Sequence, residues 1–579
     1  MIRDHFRVLA VNLSSRKGEI VHLDGRNSEA GGSGLAALLF NKYGLPEHPW
    51  NDPRQPVIFA IGPLTGYFPL MSKTVCSFKS PYHDQYTESH AGGRSALSLF
   101  FANLDALVII GKAKRLCCVS ISSRSLEIKD VSFMKGMTVD ESGKILRTIS
   151  KGSGHRTTLR IGPAGENGSA MANINVDTYR HFGRLGGGAA LGAKNCKAIL
   201  IHGDAIFPGI KNKEYNKLFE KVYQQVTATD MMKKYHNLGT PANLQGLNDI
   251  KSLPWRNLQA TSDPAIDKIN GERFATDNLL RNSACSGCPV GCIHVGFVRE
   301  MFDANHRYTF KQVAYDYEMI FSLGTMLGVT ETRAILNILD LMEKAGLDAM
   351  SGGVALAWAT EATEKGFISE KESGVRLSFG DAEGYQLATE MLGNGVNDFY
   401  RLLGQGSLKA AREYGGVDFA CVLGQEMAGY ATGEVFFAAQ SLGFRHSHLD
   451  SGAYSYDQKH SDQDIRGAVD FLINDEAGRA FMTSMVACLF ARGVYKEELL
   501  ADCLHSIGYP ELAASIDPLG KHIQKLRWQT RIATGFSPEG TTIPKRFFKI
   551  KTWKGPIDPD YLNNLKSEYG KAIMGLAGA

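Results

Sequence analysis

The period of the apolar residues changes once along this chain of 579 residues, close to residue 205. Before that point, short runs such as residues 6–13 and Ala106–Ile110 alternate or are continuously apolar, as β-strands are. After it, apolar residues recur every three or four positions, as in Thr332–Ala345, which is typical of amphipathic helices. A protein built this way places a sheet-rich part first and a helix-rich part second. We therefore predict an α+β fold.

The length indicates more than one domain, since domains usually contain about 100–200 residues. We predict an N-terminal, β-sheet-rich domain followed by two mainly α-helical domains. The boundaries are residues 1–205, 206–415 and 416–579.

Individual elements follow from the same patterns and from glycine punctuation. Strands are predicted at residues 6–13, 19–23, 57–61, 75–78, 106–110, 117–122, 126–128, 158–161 and 198–201. Helices are predicted at residues 34–43, 95–103, 215–226, 332–345, 353–365, 384–392, 396–414, 468–473, 477–490, 496–507 and 519–530. Gly346 and Gly393 are predicted to cap two of the helices at their C-termini.

Charge and hydropathy argue against several classes of partner. The chain has 64 basic and 60 acidic residues, a formal charge of +4, which gives no reason to expect a nucleic acid or an acidic membrane surface. No apolar run reaches the length of a membrane helix, and the first residues lack an apolar signal core. We therefore expect a cytoplasmic protein without a membrane partner. There the 10 cysteines stay reduced, so a cluster of them indicates metal or redox chemistry.

One such cluster is Cys285-Ser-Gly-Cys288-Pro-Val-Gly-Cys292. Zinc would use these three thiols with a fourth ligand such as His294 in a tetrahedral site. An iron–sulfur cluster would use them with one distant cysteine, and the spacing favours this reading. A third interpretation is that the three cysteines are simply buried. The candidates for a distant ligand are Cys421, Cys488 and Cys503.

Eleven stretches spread over the chain, in this order, resemble the tungsten-dependent aldehyde ferredoxin oxidoreductase family. They are VLAVNL, AGGSGLAALLF, GPLTG (62–66), KSP (79–81), SHAGGRSALSLFFANLDALVIIGKA (89–113), IGPAGEN (161–167), GRLGGGAALGAKNCKAI (183–199), CSGCPVGC (285–292), YE (317–318), AGLD (345–348) and RHSHL (445–449). None of these motifs is specific alone. Their order over nearly the whole chain carries the resemblance.

The resemblance implies a fold and a set of cofactors. In the family, a base domain of two sheets holds the cofactor, and two mainly helical domains follow. The cofactor is tungstopterin, in which tungsten, sometimes molybdenum, is held by the dithiolenes of two pterin molecules. Mg²⁺ bridges the pterin phosphates, and a [4Fe–4S] cluster lies nearby.

The resemblance also implies cofactor-binding residues. Glycine lets the backbone approach a phosphate closely, and arginine suits phosphate. Lys73 stands where the family usually has an arginine, and lysine lacks the bidentate fork. Read without the family, the same glycines could equally form ordinary tight turns, and the 346–348 loop a simple helix cap. The residues implied are Lys73, His90, Gly92, Gly93, Arg180, Gly183, Arg184, Leu347 and Asp348.

Two catalytic residues and the fourth cluster ligand follow in the same way. Glu318 is implied as the active-site carboxylate, with a pKa raised by burial, and the alternative is an exposed helix residue. His448 is implied beside the open position of the metal, with His446 as the weaker choice and Asp450 as the residue that could orient it. Without the resemblance to the family, His446 and His448 could equally be residues that cap a turn. Cys488 is implied as the ligand that joins Cys285, Cys288 and Cys292, although residues 483–488 lack the usual aspartate and glycine.

The function implied by the resemblance is oxidation of small aldehydes to carboxylic acids, with electrons passing through the cluster to ferredoxin or to a partner iron–sulfur subunit. The chain would act as a homodimer or within a hetero-oligomer. One alternative is a catalytic subunit of the benzoyl-CoA reductase type within the same family. A different class altogether is a zinc-stabilised binding protein.

Overall fold

The computed structural model describes residues 2–150, 154–210 and 212–578. Two six-stranded sheets occupy the N-terminal part, and each contains one parallel pair of strands among antiparallel ones. The first sheet has the spatial order Lys17–Leu23, Phe6–Asn12, Ala106–Ile110, Val57–Ala60, Thr74–Lys79 and Tyr86–Ala91. The second sheet has the order Arg180–Phe182, Ile174–Val176, His155–Arg160, Cys196–Gly203, Cys117–Ser122 and Leu126–Asp130.

The central strands of both sheets are buried on both faces, which explains their continuous apolar runs. Apolar side chains of the two sheets meet in one core, where the rings of Phe59 and Phe182 lie 5.6 Å apart between centroids. Side chains of a helix at Ile465–Ser484 complete this core. The N-terminal sheets therefore pack directly against the C-terminal part of the chain.

Helices dominate after residue 205, so the predicted α+β fold is confirmed, whereas the domain boundaries stay a prediction. The helix at Thr332–Ala345 begins and ends where the sequence pattern placed it, and Gly346 adopts a left-handed φ of 73° at its C-cap. Within the described part of the chain, no helix is long and apolar enough to cross a membrane. Before residue 205 the longer helices are Gly32–Tyr43 and Val139–Ile149, and after it they are Lys213–Ala228, Thr332–Ala345, Ala349–Glu364, Ala382–Asn394, Glu434–Leu442, Ile465–Ser484, Glu497–Ser506, Ile516–Ala533 and Pro559–Ala577.

The mainly helical second part of the chain contains one sheet that the sequence patterns did not predict. A three-stranded antiparallel sheet, formed by Leu279–Ser283, Ile293–Asp303 and Arg307–Tyr315, interrupts the helices. Its two longer strands are only half-buried, and polar or charged residues interrupt their apolar residues, so they show no sustained apolar run. The cysteine motif forms the connection between the first two of these strands.

Smaller predictions also need correction. Gly393 lies inside the helix Ala382–Asn394, which is capped instead by Gly395 with a φ of 58°. The helix predicted at residues 396–414 is split in two by Gly404 and Gly406, while the two predicted at 468–490 form one helix that ends at Ser484. The strand Tyr86–Ala91 was missed because it carries the polar sequence Thr-Glu-Ser-His.

A buried ion pair joins the first sheet to the helix Ile516–Ala533. Arg527 donates from Nε to Oε1 of Glu88 at 3.0 Å and from Nη2 to Oε2 at 3.2 Å. Both side chains are buried, at 4% and 0% exposure. Burial alone would raise the pKa of Glu88. Arg527 and the neighbouring His90 outweigh burial and lower this pKa to about 2. The fork of the guanidinium therefore connects strand and helix at one fixed geometry.

We predict that Arg527→Met destabilises the protein by roughly 3–5 kcal/mol, because it leaves the Glu88 carboxylate without its buried partner. The matched control is Arg115→Met, which breaks the exposed pair with Asp130 and should cost at most about 1 kcal/mol. Thermal unfolding of the two variants and the parent protein measures the difference. Equal midpoints for Arg527→Met and Arg115→Met would show that the buried pair contributes nothing.

Candidate active site

The cysteine loop is fixed to the first sheet and to the C-terminal part by backbone hydrogen bonds. Leu70 donates from its N–H to the carbonyl of Gly287 at 3.0 Å, and Cys488 donates to the carbonyl of Leu70 at 2.9 Å. Ser286 donates to the carbonyl of Gly93 at 3.0 Å. The segment that carries Cys488 thus lies beside the loop that carries the other three thiols.

The four thiols lie close enough to affect one another electrostatically, although no group of three or more ligand side chains among the described residues is arranged to hold a metal ion. Burial and the neighbouring Cys488, Cys285 and Cys292 raise the pKa of Cys288 to about 12, although the Val290 backbone opposes this. Burial also raises the pKa of Cys292. Neutral thiols are thus favoured when no metal balances them, and thiolates would need positive charge nearby.

That positive charge comes from Lys73 and Arg180. A Cβ added at Gly92 would lie 2.6 Å from Sγ of Cys285 and 3.1 Å from Nζ of Lys73, so only glycine leaves room for this approach. Nη2 of Arg180 lies 3.9 Å from Sγ of Cys292. Burial raises the pKa of Cys285, but the charges of Lys73 and Arg180 outweigh burial and lower this pKa. The two cations therefore favour the thiolate form of Cys285.

The other predicted ligands lie elsewhere. His294 directs both ring nitrogens at backbone oxygens: Nδ1 lies 3.2 Å from the carbonyl of Cys292, and Nε2 lies 3.0 Å from that of Asn237. Cys421 donates to the carbonyl of Asn257 at 3.4 Å. Cys503 is buried in the apolar core of the sheets, and burial raises its pKa. Cys488 is the distant thiol that the fold brings to the loop, while its role as a ligand stays a prediction.

A second group of predicted residues meets at the ends of the second sheet. Nε of Arg184 lies 3.4 Å from Oδ2 of Asp348, and a Cβ at Gly183 would lie 3.7 Å from Oδ1 of the same carboxylate. Leu347 is buried, and its carbonyl accepts from Asn173 at 2.8 Å. Among the described residues, Nε and Nη1 of Arg184 and Nε of Arg180 are buried without a hydrogen-bond partner. Buried arginine donors that lack partners fit the phosphates of a bound group.

His90 belongs to a buried charge network behind these residues. Its Nε2 lies 3.1 Å from Oε2 of Glu88, and its Nδ1 lies 3.1 Å from Nη1 of Arg445. Burial and Arg445 lower the pKa of His90 to about 4, so its imidazole is neutral at pH 7. Nε of Arg445 donates to Oδ1 of Asp450 at 2.7 Å. The expectation that Asp450 orients His448 was therefore wrong, because Asp450 holds Arg445.

Glu318 and His448 come together from separate parts of the chain. Nε2 of His448 lies 3.2 Å from Oε1 of Glu318, and both side chains are largely buried, at 9% and 16% exposure. Nδ1 of His448 is buried and has no hydrogen-bond partner within the described residues. The ring of Tyr430 packs 5.1 Å from the imidazole. By contrast, His446 uses both nitrogens, on the carbonyl of Gln440 and on Arg531.

A short helix, Tyr317–Ile320, presents Glu318 and runs directly into one π-helical turn at Phe321–Thr325. Such turns are frequent at functional sites because they re-aim side chains. Asp316 is the N-cap of the short helix and accepts from the N–H of Met319. The two carboxyl groups at 316 and 318 also influence each other's charge.

This pairing reverses the expected pKa of Glu318. Burial alone would raise it, but the hydrogen bond and charge of His448 lower the pKa of Glu318 below its usual value. Burial and the Glu318 carboxylate instead raise the pKa of Asp316 to about 7. The sequence analysis missed Asp316, although an aspartate directly before a helix is a recognisable N-cap signal.

Two comparisons with family models cover nearly all of the chain. Residues 8–203 match the family model "Aldehyde ferredoxin oxidoreductase, N-terminal domain", and residues 217–572 match "Aldehyde ferredoxin oxidoreductase, domains 2 & 3". The chain belongs to the aldehyde ferredoxin oxidoreductase family and is an oxidoreductase. The family in general uses tungstopterin and a [4Fe–4S] cluster.

Individual relatives support the same assignment. The chain is 28% identical over 571 residues to a tungsten-containing aldehyde ferredoxin oxidoreductase of Pyrococcus furiosus, covering 95% of this chain and 92% of the relative. It is 28% identical over 431 residues to the WOR-like subunit of an aliphatic sulfonate oxidoreductase of the same organism, covering 70% of this chain and 66% of that one. Its fold resembles the active-site complex BamBC of benzoyl coenzyme A reductase, with a TM-score of 0.79, 18% identity and coverage of 98% and 95%.

We predict that Cys488→Ala loses the EPR signal of a reduced four-iron cluster, because a cubane needs four protein thiolates. Cys503→Ala is the matched control, since it removes a buried thiol from the neighbouring core and should keep the signal. Both proteins are prepared without oxygen, and iron is measured alongside the spectra. An unchanged signal in Cys488→Ala would exclude this thiol as a ligand.

We also predict that the stability of the protein depends on pH through Asp316. A pKa of about 7 in the folded state exceeds the value of 3.8 for an ordinary aspartate, so the folded protein binds the proton more tightly. Folding therefore loses stability as the pH rises from about 4 to about 7. Asp316→Asn removes this loss.

The measurement is the thermal midpoint of Asp316→Asn minus that of the parent protein, and this difference should grow between pH 5 and pH 7.5. The exposed Asp502→Asn is the control for removing one carboxylate. A difference that is constant over this range would mean that Asp316 ionises normally.

Proposed function

We propose that this oxidoreductase converts small aldehydes to carboxylic acids at Glu318 and His448. The observation that carries the proposal is the 3.2 Å contact between Nε2 of His448 and Oε1 of Glu318, combined with a buried Nδ1 that has no partner in the described residues. A carboxylate and an imidazole so arranged can hold a substrate oxygen and move a proton beside it.

Oxidation of an aldehyde to its acid adds the oxygen of one water molecule and releases two electrons together with protons. When bound, tungstopterin supplies the Lewis acid and the two-electron oxidant for this change. The protein must then position the aldehyde, accept protons and exclude other reactions. Those tasks fall to the residues around Glu318.

His448 is suited to bind the substrate oxygen. With Nε2 against the Glu318 carboxylate, Nδ1 is the ring nitrogen that faces a free position. Once the Glu318 carboxylate has taken up a proton, Nε2 accepts a hydrogen bond from it and Nδ1 carries the N–H of the ring. That N–H can donate to a carbonyl oxygen and stabilise negative charge on it. Tyr430, packed against the imidazole, limits its rotation.

Glu318 and Asp316 together can take up the released protons. The lowered pKa of Glu318 keeps this group ionised and ready to accept a proton, while the pKa of Asp316, raised to about 7, allows it to hold or release one near neutral pH. Because the two carboxyls influence each other's charge, a proton taken up by one favours ionisation of the other. We therefore add Asp316 to the catalytic pair predicted from the sequence.

The proposed cofactor contacts are those whose surroundings suit an anionic group. The unpartnered donors of Arg180 and Arg184 would take the pterin phosphates, and the Asp348 carboxylate could hold Mg²⁺ between them. Molybdenum could replace tungsten at the same site. The complete proposed set is Lys73, His90, Gly92, Gly93, Arg180, Gly183, Arg184, Leu347 and Asp348.

The thiols of Cys285, Cys288, Cys292 and Cys488 would hold the [4Fe–4S] cluster, with Lys73 and Arg180 balancing part of their charge. We propose ferredoxin, or a ferredoxin-like partner subunit, as the electron acceptor. Because the thiols lie around one loop, we propose that electrons leave the protein at this one place. The chain would function as a homodimer or within a hetero-oligomer.

A second candidate is a catalytic subunit that reduces aromatic-ring thioesters, and the similarity of fold to the benzoyl coenzyme A reductase complex favours it. Activity distinguishes the two. Acetaldehyde and benzaldehyde are assayed with an oxidised viologen dye, and benzoyl-CoA is assayed with a low-potential donor. Turnover of benzoyl-CoA without aldehyde oxidation would replace our first proposal by the second.

We predict that Glu318→Gln and His448→Asn each lower aldehyde turnover by at least about 100-fold, because proton transfer and oxygen binding both fail. Tungsten content and the EPR signal of the cluster should stay unchanged, since neither residue is a proposed ligand. The exposed Glu331→Gln and His505→Asn are the matched controls and should keep normal rates. A normal rate in either active-site variant would remove that residue from the mechanism.

A further inference from the structure

A concave, arginine-rich cavity of about 500 Å³ opens beside the cysteine loop. It lies against the edge of the second sheet, and Ser283 and Ala284, which directly precede Cys285, form part of its wall. Its volume is in the range of small-molecule sites, roughly 300–1,000 Å³. Six arginines line it: Arg94, Arg147, Arg156, Arg160, Arg180 and Arg281.

These arginines have no acidic partners. Within the described ranges, none of the six makes an ion pair with an aspartate or a glutamate, although arginines elsewhere in the chain commonly do. Asp177 is the acidic residue of the cavity wall, and it is occupied locally. Its carboxylate accepts from Oγ1 of Thr157 and from the N–H of Thr158, both at 3.0 Å. The cavity therefore holds a large excess of positive charge.

The excess of positive charge has a free-energy cost because one of these arginines, Arg160, is buried. It is only 3% exposed, and its one hydrogen bond in the described chain runs from Nε to the carbonyl of Val139 at 2.8 Å. Its guanidinium packs so closely on Gly143 that a Cβ there would lie 2.8 Å from Nη2. A buried cation without an ion-pair partner in contact is unfavourable, and an anion bound in the cavity would relieve the cost.

We propose that this cavity binds a small phosphate-bearing anion. Planar guanidinium groups bind phosphate oxygens through paired N–H donors, and several of them on one concave wall fit more than one phosphate oxygen at once. At the rim, Arg281 is held in place by a hydrogen bond to the Tyr179 hydroxyl at 3.2 Å and lies over the ring of that tyrosine.

The burial of Arg160 favours a small ligand over the acidic surface of a protein. Arg160 is buried at the cavity wall, where a phosphate group can enter but a folded partner cannot follow. The site goes beyond the proposed aldehyde oxidation and does not depend on the identity of its substrate. Arg180 borders both regions, since its Nη2 faces Cys292.

The test measures binding of three anions to the holoenzyme by isothermal titration calorimetry at low ionic strength in a chloride buffer. Loaded protein is used so that the cofactor site is filled. Inorganic phosphate, pyrophosphate and ADP are titrated separately. We expect saturable binding of one anion per chain for at least one of them. Binding of ADP alone identifies a nucleotide as the source of the phosphate, and binding of inorganic phosphate or pyrophosphate identifies a free phosphate.

Variants decide whether the cavity is responsible. Arg94→Gln and Arg156→Gln change exposed wall residues and should each weaken binding at least about tenfold, as expected from the loss of one charge-assisted hydrogen bond. Arg160→Gln should abolish it. The control Arg124→Gln removes an exposed arginine at the opposite edge of the same sheet and should leave the affinity unchanged.

Three results would overturn the proposal: no saturable binding of any of the three anions, an equal loss of affinity in Arg124→Gln, or arginine-dependent binding of an acidic electron carrier alone. Aldehyde oxidation is measured on the same preparations. Active protein that binds no anion contradicts only the cavity proposal, whereas inactive protein that binds one contradicts only the proposed function.

Discussion

The close approach of the cysteine loop to the glycine turn at residue 92 is the constraint on which the rest of the site depends. Three distant segments meet there through backbone hydrogen bonds made by Leu70, Ser286 and Cys488. A side chain at Gly92 would collide with the thiol of Cys285. Since four thiolates repel one another, the arrangement also needs Lys73 and Arg180 as neighbours. The fold therefore brings the four thiols that we propose as cluster ligands close to two cations.

The buried charged groups around the site are of two kinds: those near Glu88 have fixed partners, and those near Glu318 can exchange protons. Around Glu88 every charge has a fixed partner: Arg527 holds the carboxylate, and His90 is kept neutral with its pKa near 4. Around Glu318 the groups can still exchange a proton or bind another group. Asp316 has a pKa of about 7, and Nδ1 of His448 has no partner among the described residues. The Glu88 carboxylate is thus paired, whereas Nδ1 of His448 is available to a bound group and Asp316 can exchange a proton near neutral pH.

The sequence predicts much of this protein because local and long-range signals agree in many places. Thr332–Ala345 has a clear apolar period and a glycine at its end, and the structure follows both. The sheet that carries the cysteine loop was missed, since strands that are half-buried and charged have no sustained apolar pattern. Asp450 and Asp316 were misjudged for another reason. Which partner a carboxylate meets depends on segments far away in the sequence, and no periodicity encodes it.

The most direct test of the account is metal analysis of protein purified without oxygen from cells supplied with tungstate and molybdate. The account predicts about one tungsten or molybdenum atom and about four iron atoms per chain, with little zinc. A preparation that contains zinc but neither tungsten nor molybdenum, and no iron, would contradict it.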